Sequence, residues 1–154
     1  MRYLASLIAS FFGAGYSPVA PGTVGSLLAV IIIYVLSLLV DNMRYVIPIL
    51  AILSYGVGIL SISKLPDTWA HDDGRIVIDE AHGIFIALAF IPFSVMTLVL
   101  GLVVFRFFDI LKPFGIRKLD KWYNNHGVML DDTLAGIYSN IVLQFALLWQ
   151  IVPI

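Results

Sequence analysis

The sequence predicts an all-α fold: a polytopic membrane helical bundle with a short N-terminal helix, about four spanning or hairpin segments, and polar loops gathered on one face. Two observations lead to this prediction. Hydrophobic residues make up 60% of the 154 residues, and charged residues only 12%. A soluble domain has about 25% charged residues, and a soluble protein this short could not bury so much apolar surface. We treat residues 1–154 as one membrane-embedded domain.

The predicted elements follow from the lengths of the apolar segments and from proline and glycine. Met1–Phe12 is shorter than the roughly 20 residues of a span, so it forms either an interfacial or re-entrant helix or a first helix packed on the bundle. Gly13–Gly25 contains two prolines and four glycines and is predicted to be an irregular loop. The predicted spans are Ser26–Val40 extended by Val24 and Gly25, then Tyr45–Ile62, and finally Thr133–Val152. The polar segments between them are Asp41–Arg44, Lys64–Glu80 and Phe105–Asp132.

The apolar segment Ala81–Val104 contains Pro92 near its middle, which fits either a kink or a tight turn. A single crossing would separate the polar segments before and after it, whereas a helical hairpin would place both on one face. The hairpin also leaves Arg44 alone on the opposite face, an asymmetry expected when the crowded face is cytoplasmic. We therefore predict a hairpin. The cations it gathers are Arg2, Lys64, Arg75, Arg106, Lys112, Arg117, Lys118 and Lys121.

Composition excludes several classes of function. The chain has no cysteine, so disulfides, thiolate metal sites and cysteine nucleophiles are absent. The net charge of −1 provides no basic field for nucleic acid. Only three histidines are present, without a zinc-binding motif. His82 is predicted to be a packing or hydrogen-bonding residue.

Seven of the ten carboxylates fall in three short clusters, each beside an apolar segment. Acids at the edge of hydrocarbon are expensive and are usually explained by function or pairing. Crowded like charges repel unless they are protonated or neutralised by a cation. Mg²⁺ suits such a site, because it binds one to three carboxylates together with water and phosphate oxygens. The clusters are Asp72, Asp73, Asp79 and Glu80; Asp109; and Asp131 with Asp132.

The middle cluster places two cations and one carboxylate near one face of a helix, because Arg106, Asp109 and Lys112 are spaced three apart. One interpretation is a salt-bridge ladder at a helix end. The other is functional: Asp109 binds a metal ion while Arg106 or Lys112 binds phosphate, for which arginine supplies a planar fork and lysine a point charge.

Asp131 and Asp132 precede an apolar helix, where acids commonly cap the N-terminus. Asp132 is therefore a plausible N-cap, which leaves Asp131 as the freer metal ligand.

Gly22–Ser26 exposes backbone N–H groups just before a predicted helix. Such a site can hold an anion, with a hydroxyl from Thr23 or Ser26. The alternative is a Pro/Gly turn with a purely structural role.

Four segments of the chain, in order, resemble the phosphatidylglycerophosphatase A family. Gly13–Ser26 reads GAGYSPVAPGTVGS, and Asp72–Gly83 reads DDGRIVIDEAHG, which is similar to the family's D…IVxDE pattern. Phe105–Ile116 reads FRFFDILKPFGI, like FRxxDxxKPxPI, and Gly127–Gly136 reads GVMLDDTLAG, like GIMxDDxxAG. Together the four segments cover the chain nearly from end to end, and their order and spacing make the resemblance highly specific.

The resemblance implies a Mg²⁺-dependent phosphatase that hydrolyses the phospholipid phosphatidylglycerophosphate to phosphatidylglycerol and phosphate. It also implies a multi-pass protein of the bacterial inner (cytoplasmic) membrane, and the cation asymmetry places the active site on the cytoplasmic face. The sequence departs from the family at Gly115, where proline is frequent, and at His82, where a hydrophobic residue is usual.

The implied site uses every cluster. Arg106 and Lys112 would hold phosphate oxygens, and Thr23 is a further catalytic candidate. Asp79 or Asp132 would orient or deprotonate the attacking water, although a covalent aspartyl intermediate is an alternative. The candidate Mg²⁺ ligands are Asp72, Asp79, Glu80, Asp109, Asp131 and Asp132.

Three other classes of membrane protein compete with this interpretation. A transport or ion-pathway subunit predicts acids spread along the helices at bilayer depth, whereas here they gather at helix ends and in loops. A CDP-alcohol phosphotransferase requires a DGxxAR pattern, which fails at Gly74–Val77. A purely structural protein with helix-capping charges does not explain seven acids in three ordered clusters.

Overall fold

The computed structural model describes residues 2–70, 73–113, 115, 116 and 125–149, and the secondary structure of these residues is entirely helical. This confirms the predicted all-α class. The helices are α1 (Arg2–Ala9), a 3₁₀ helix (Ala14–Tyr16), α2 (Pro21–Ser37), α3 (Met43–Ile62), α4 (Ile78–Leu88), α5 (Val95–Leu111) and α6 (Asn125–Leu148).

Helix α3 has the length and apolarity of a membrane span, and among the described residues it alone has both. Its 20 residues extend about 30 Å, which matches the hydrocarbon core of a bilayer. Helix α2 is comparably apolar but has 17 residues. The number of spans therefore stays a prediction.

Helix α2 begins at Pro21, three residues before Val24, the earliest predicted start of this helix, so the predicted irregular loop extended too far. Proline fits the first position of a helix, where its missing N–H has no helical partner to lose. Ala20, just before it, has a left-handed backbone (φ 46°) that turns the chain into the helix. Gly25 lets α2 approach the start of α4, because a Cβ there would lie 2.9 Å from Cβ of Val77.

Helices α4 and α5 form the predicted hairpin. Gly83 in α4 contacts Phe105 in α5, and Leu88 contacts Gly101, so the two helices run antiparallel. Helix α4 begins inside the polar segment and α5 extends into the next one. Since α4 has only 11 residues, about 16 Å, it is too short to cross a bilayer.

Polar side chains satisfy the backbone at the tip of this hairpin. The side-chain amide of Asn140 in α6 donates to the carbonyls of Ile86, Ala87 and Ala89 at 3.2, 3.0 and 2.8 Å. Ser94 and Thr97 form a capping box at the start of α5. Backbone groups that are withdrawn from water need such internal partners.

Helix α6 begins at Asn125, eight residues before the predicted start. Asp131 and Asp132 therefore lie inside the helix, and the prediction that Asp132 is an N-cap was wrong. Glycines bring α6 against the central helix α4: a Cβ on Gly136 would lie 2.6 Å from the carbonyl oxygen of Gly83. This close crossing sets the acids of α6 beside those at the start of α4.

Candidate active site

One polar cavity of about 250 Å³ collects acids from all three sequence clusters. It lies where the first turns of α2 and α4, the last turns of α5 and the early turns of α6 meet. Its charged lining residues are Asp73, Asp79, Glu80, Arg106, Asp109, Lys112, Asp131 and Asp132. The convergence expected for a shared site is therefore present, while the predicted ligand Asp72 lies outside the described residues.

Three of these acids form the group best suited to a cation. Asp79 and Glu80 occupy the first turn of α4, and Asp132 faces them from α6. One carboxylate oxygen from each lies within 4.8 Å of the others. None of the three pairs with a lysine or arginine in the part of the chain that the structure describes. We call Asp79, Glu80 and Asp132 the acidic triad.

The environment of α4 makes ionisation of its two acids unfavourable. Burial, reinforced by the charge of Glu80, raises the pKa of Asp79 well above its usual value. Burial also raises the pKa of Glu80, although a hydrogen bond with Asp79 partly offsets the effect. Oε2 of Glu80 is buried without a hydrogen-bond partner among the described residues. A bound divalent cation would favour the ionised form of these acids and would give Oε2 of Glu80 a partner. The triad therefore fits Mg²⁺, which prefers oxygen ligands.

The other two buried acids have cations of their own. Arg106 contacts Asp109 one turn along α5, with Nη1 to Oδ2 at 2.5 Å, which is one of the contacts in the salt-bridge interpretation of this helix face. Nε of Arg106 is buried and has no hydrogen-bond partner among the described residues. Lys112, at the end of α5, reaches across to α6, where its Nζ lies 2.6 Å from Oδ2 of Asp131.

Asp73 lines the cavity but has a structural partner. Its carboxylate accepts hydrogen bonds from Nε and Nη2 of Arg75 at 2.7 and 2.6 Å. These bonds lower the pKa of Asp73 to about 2. The guanidinium of Arg75 also stacks on Trp69, 4.2 Å from the ring centroid. Asp73 therefore stabilises the loop before α4.

The Gly/Pro segment contributes differently from the prediction. Thr23 is exposed and does not line the cavity, and the hydroxyl of Ser26 donates to the carbonyl of Gly22 within α2. Gly22 itself does line the cavity: a Cβ there would lie 3.0 Å from Cδ of Glu80 and 3.2 Å from Nη1 of Arg106. Sequence reasoning missed this contact, for which the only signal was a glycine in the first turn of a helix.

His82 is a hydrogen-bonding residue of the core, as predicted. Its Nδ1 lies 3.0 Å from both Oγ of Ser54 and the carbonyl oxygen of Ala51, and its Nε2 lies 3.0 Å from Oγ1 of Thr133. It therefore joins α3, α4 and α6 just below the acidic triad.

Comparison with known proteins agrees with the resemblance seen in the motifs. Residues 7–147 match the family model described as phosphatidylglycerophosphatase A. The chain is 42% identical to a phosphatidylglycerophosphatase A of Haemophilus influenzae, over 94% of this chain and 90% of that protein. It is 37% identical to one from Escherichia coli K12, over 90% and 81% of the two chains.

A third relative carries a different name. A putative phosphatidylinositol-3-phosphatase of Bacteroides thetaiotaomicron is 39% identical over 94% of both chains. No solved structure is significantly similar to the protein.

Proposed function

Because the chain belongs to the phosphatidylglycerophosphatase A family and is a phosphatase, we propose that it hydrolyses phosphatidylglycerophosphate to phosphatidylglycerol and phosphate with the help of Mg²⁺. One observation carries the metal-dependent part of this proposal. The acidic triad gathers three carboxylates within 4.8 Å, in the same cavity as the guanidinium of Arg106. Acids alone would repel a phosphate, so a cation at the triad is needed for the substrate to bind.

The residues of the cavity divide the work of phosphate hydrolysis. A phosphomonoester bears nearly two negative charges at neutral pH. Asp79, Glu80 and Asp132 would hold Mg²⁺, which when bound offsets charge on the phosphate oxygens and on the leaving alkoxide. Arg106 is suited to the remaining phosphate oxygens because its fork matches phosphate geometry, and Asp109 orients that fork from one turn along α5.

The proton of the attacking water needs an acceptor in the same cavity. A carboxylate oxygen of Asp79 or Asp132 is suited to this role, because both acids are buried beside the proposed phosphate position. Phosphoryl transfer depends mainly on positioning and charge stabilisation, so water can attack directly without a protein nucleophile.

We place the protein in the bacterial inner membrane as a multi-pass protein with this cavity at the cytoplasmic face. Large apolar side chains are exposed along the helices, for example Ile52 and Leu60 on α3 and Phe145 on α6, as expected for contact with lipid. The acids lie at one end of the bundle, which suits a headgroup at the membrane surface and argues against an ion pathway running along the helices.

The function is tested by phosphate release from phosphatidylglycerophosphate in detergent, with Mg²⁺ and with EDTA. We expect EDTA to abolish activity, and D79N and D132N each to lose activity by about 100-fold or more, since each removes a group acting directly on the reaction centre. D41N, in the exposed turn between α2 and α3, is the control and should retain activity.

Two results would count against the proposal. Full activity of D79N and D132N with Mg²⁺ would show that the triad is not the reaction centre. Faster release from phosphatidylinositol 3-phosphate, the substrate class in the name of the Bacteroides relative, would show that phosphatidylglycerophosphate is not the preferred substrate.

A further inference from the structure

We propose that Lys112 is a positioning residue that fixes Asp131, and through it the acidic triad, and that it does not bind the substrate phosphate. This inference rests on the proposed function and assigns a role within the same cavity. The sequence alone predicted phosphate binding for Lys112, but the structure directs its ammonium to a carboxylate on the neighbouring helix, with Nζ 2.6 Å from Oδ2 of Asp131.

The backbone of Lys112 supports a specific role for its side chain. Lys112 ends α5 in the left-handed conformation, with φ 43° and ψ 52°. Glycine is the usual residue at this place after a helix, because a Cβ makes the left-handed region unfavourable. Lysine occupies this position here, and its Nζ lies 2.6 Å from Oδ2 of Asp131 on α6. The left-handed turn at the end of α5 lets the ammonium reach α6.

The contact with Asp131 also determines where Asp132 points. Successive residues of an α-helix project about 100° apart around its axis, since each turn contains 3.6 residues. Holding the buried carboxylate of Asp131 at the end of α5 therefore helps to set the rotation of α6 about its own axis, together with the close crossing of Gly136 and Gly83. That rotation places the carboxylate of Asp132 within 4.8 Å of its partners in the triad.

The charges of the cavity agree with a positioning role for Lys112. Lys112 pairs with Asp131 and Arg106 with Asp109. The carboxylates of the triad, of which Asp79 and Asp132 are buried and Glu80 partly buried, remain, and a divalent cation is the suitable neutraliser for them. If Lys112 instead turned toward a phosphate, the ion pair between its ammonium and Asp131, next to the like-charged Asp132, would be lost.

The experiment compares K112G and D131N with wild type. Glycine accepts the left-handed backbone, so K112G removes the ammonium without straining the end of α5. The first readout is binding of Mg²⁺ to the metal-free, detergent-solubilised protein without substrate. Binding is measured by titrating MgCl₂ and recording the shift of the thermal unfolding midpoint. The second is inhibition by inorganic phosphate at saturating Mg²⁺. K64G, which removes the exposed lysine after α3, is the matched control.

We expect K112G and D131N each to raise the half-saturating Mg²⁺ concentration by about 10- to 100-fold, as changes to residues that orient metal ligands typically do. The loss in the double variant should be clearly smaller than the sum of the two single losses, because both substitutions remove the same contact. K112R should restore most of the affinity, and phosphate inhibition should stay within about twofold of wild type, as should every property of K64G.

Unchanged Mg²⁺ binding by K112G, together with weaker inhibition by phosphate, would overturn the inference and make Lys112 a phosphate ligand. Additive losses in the double variant would also overturn it. If wild type hydrolysed the lipid but neither bound nor required Mg²⁺, the metal-dependent function and this inference would both be wrong. A Mg²⁺-dependent wild type whose variants bind Mg²⁺ normally would contradict the inference alone.

Discussion

Substitution of Gly22 by alanine should disable the proposed metal site while leaving the fold intact. Gly22 lies in the first turn of α2, and a Cβ there would lie 3.0 Å from Cδ of Glu80, with the carboxylate oxygen Oε1 nearer still. Carbon atoms in contact prefer about 3.5–4.0 Å. Cδ of Glu80 must therefore move by about 0.5–1 Å, and Oε1 by more. The carboxylate can make this movement because it ends a flexible side chain.

That displacement of Glu80 should have little effect on the stability of the fold and a large effect on the geometry of the metal site. Alanine is favoured over glycine in a helix by up to about 1 kcal/mol, so the free energy of unfolding should fall little or rise. Mg²⁺ demands near-ideal octahedral geometry, and a misplacement of about 1 Å can lower a reaction rate by about 100-fold. We therefore expect G22A to lose about 10- to 100-fold in both Mg²⁺ affinity and lipid phosphatase activity.

The assay measures the thermal unfolding midpoint, Mg²⁺ binding without substrate, and phosphate release on the same detergent-solubilised sample. G56A in α3 is the matched control, because a Cβ at Gly56 meets no atom within 4 Å; it should keep full activity. If G22A bound Mg²⁺ and turned over lipid as wild type does, Glu80 would not be a ligand. If G22A failed to fold, the contact would be structural and the reasoning about a mobile carboxylate would be wrong.

The hairpin yields two further predictions. In a denaturation assay, N140A should lower the free energy of unfolding by up to about 6 kcal/mol. The part-buried bonds to the carbonyls of Ala87 and Ala89 are lost, and an acceptor left without a donor costs about 1–3 kcal/mol when fully buried. S139A, which removes a bond within α6, should cost about 1 kcal/mol or less. The chain has no cysteine, so F93C at the hairpin tip should resist a membrane-impermeant maleimide applied to intact cells, while D41C should react with it. Equal labelling of the two would show that the hairpin crosses the bilayer.

Much of the architecture is encoded in local features of the chain. Apolar length predicted α3 almost to the residue, and Pro92 together with the distribution of cations predicted the hairpin. The spacing of Arg106 and Asp109 predicted their ion pair, since residues three apart on a helix face each other. Apolar length, the position of a proline, the order of charges along the chain and helical spacing are all properties of the linear sequence, and so they can be read without a three-dimensional structure.

The starts of two helices were predicted wrongly for one physical reason. Glycines and prolines in the segment ending at Gly25, and polar residues before Thr133, disfavour a helix when judged alone. In the folded protein those same residues lie where α2 and α6 pack against α4, so tertiary contacts outweigh local propensity. The extra turns of α6 move Asp132 from a capping position into the cavity.

The sequence by itself determined that the chain is an apolar helical protein whose acids lie in three clusters, and its motifs identified the phosphatase family. Only the tertiary structure decided how those acids divide: Asp79, Glu80 and Asp132 into a triad, Asp109 to Arg106, and Asp131 to Lys112. The physical reason is that composition and spacing are properties of one segment. The meeting of individual carboxylate oxygens depends on how far each helix extends, how it is rotated, and how closely the glycines let it approach its neighbour.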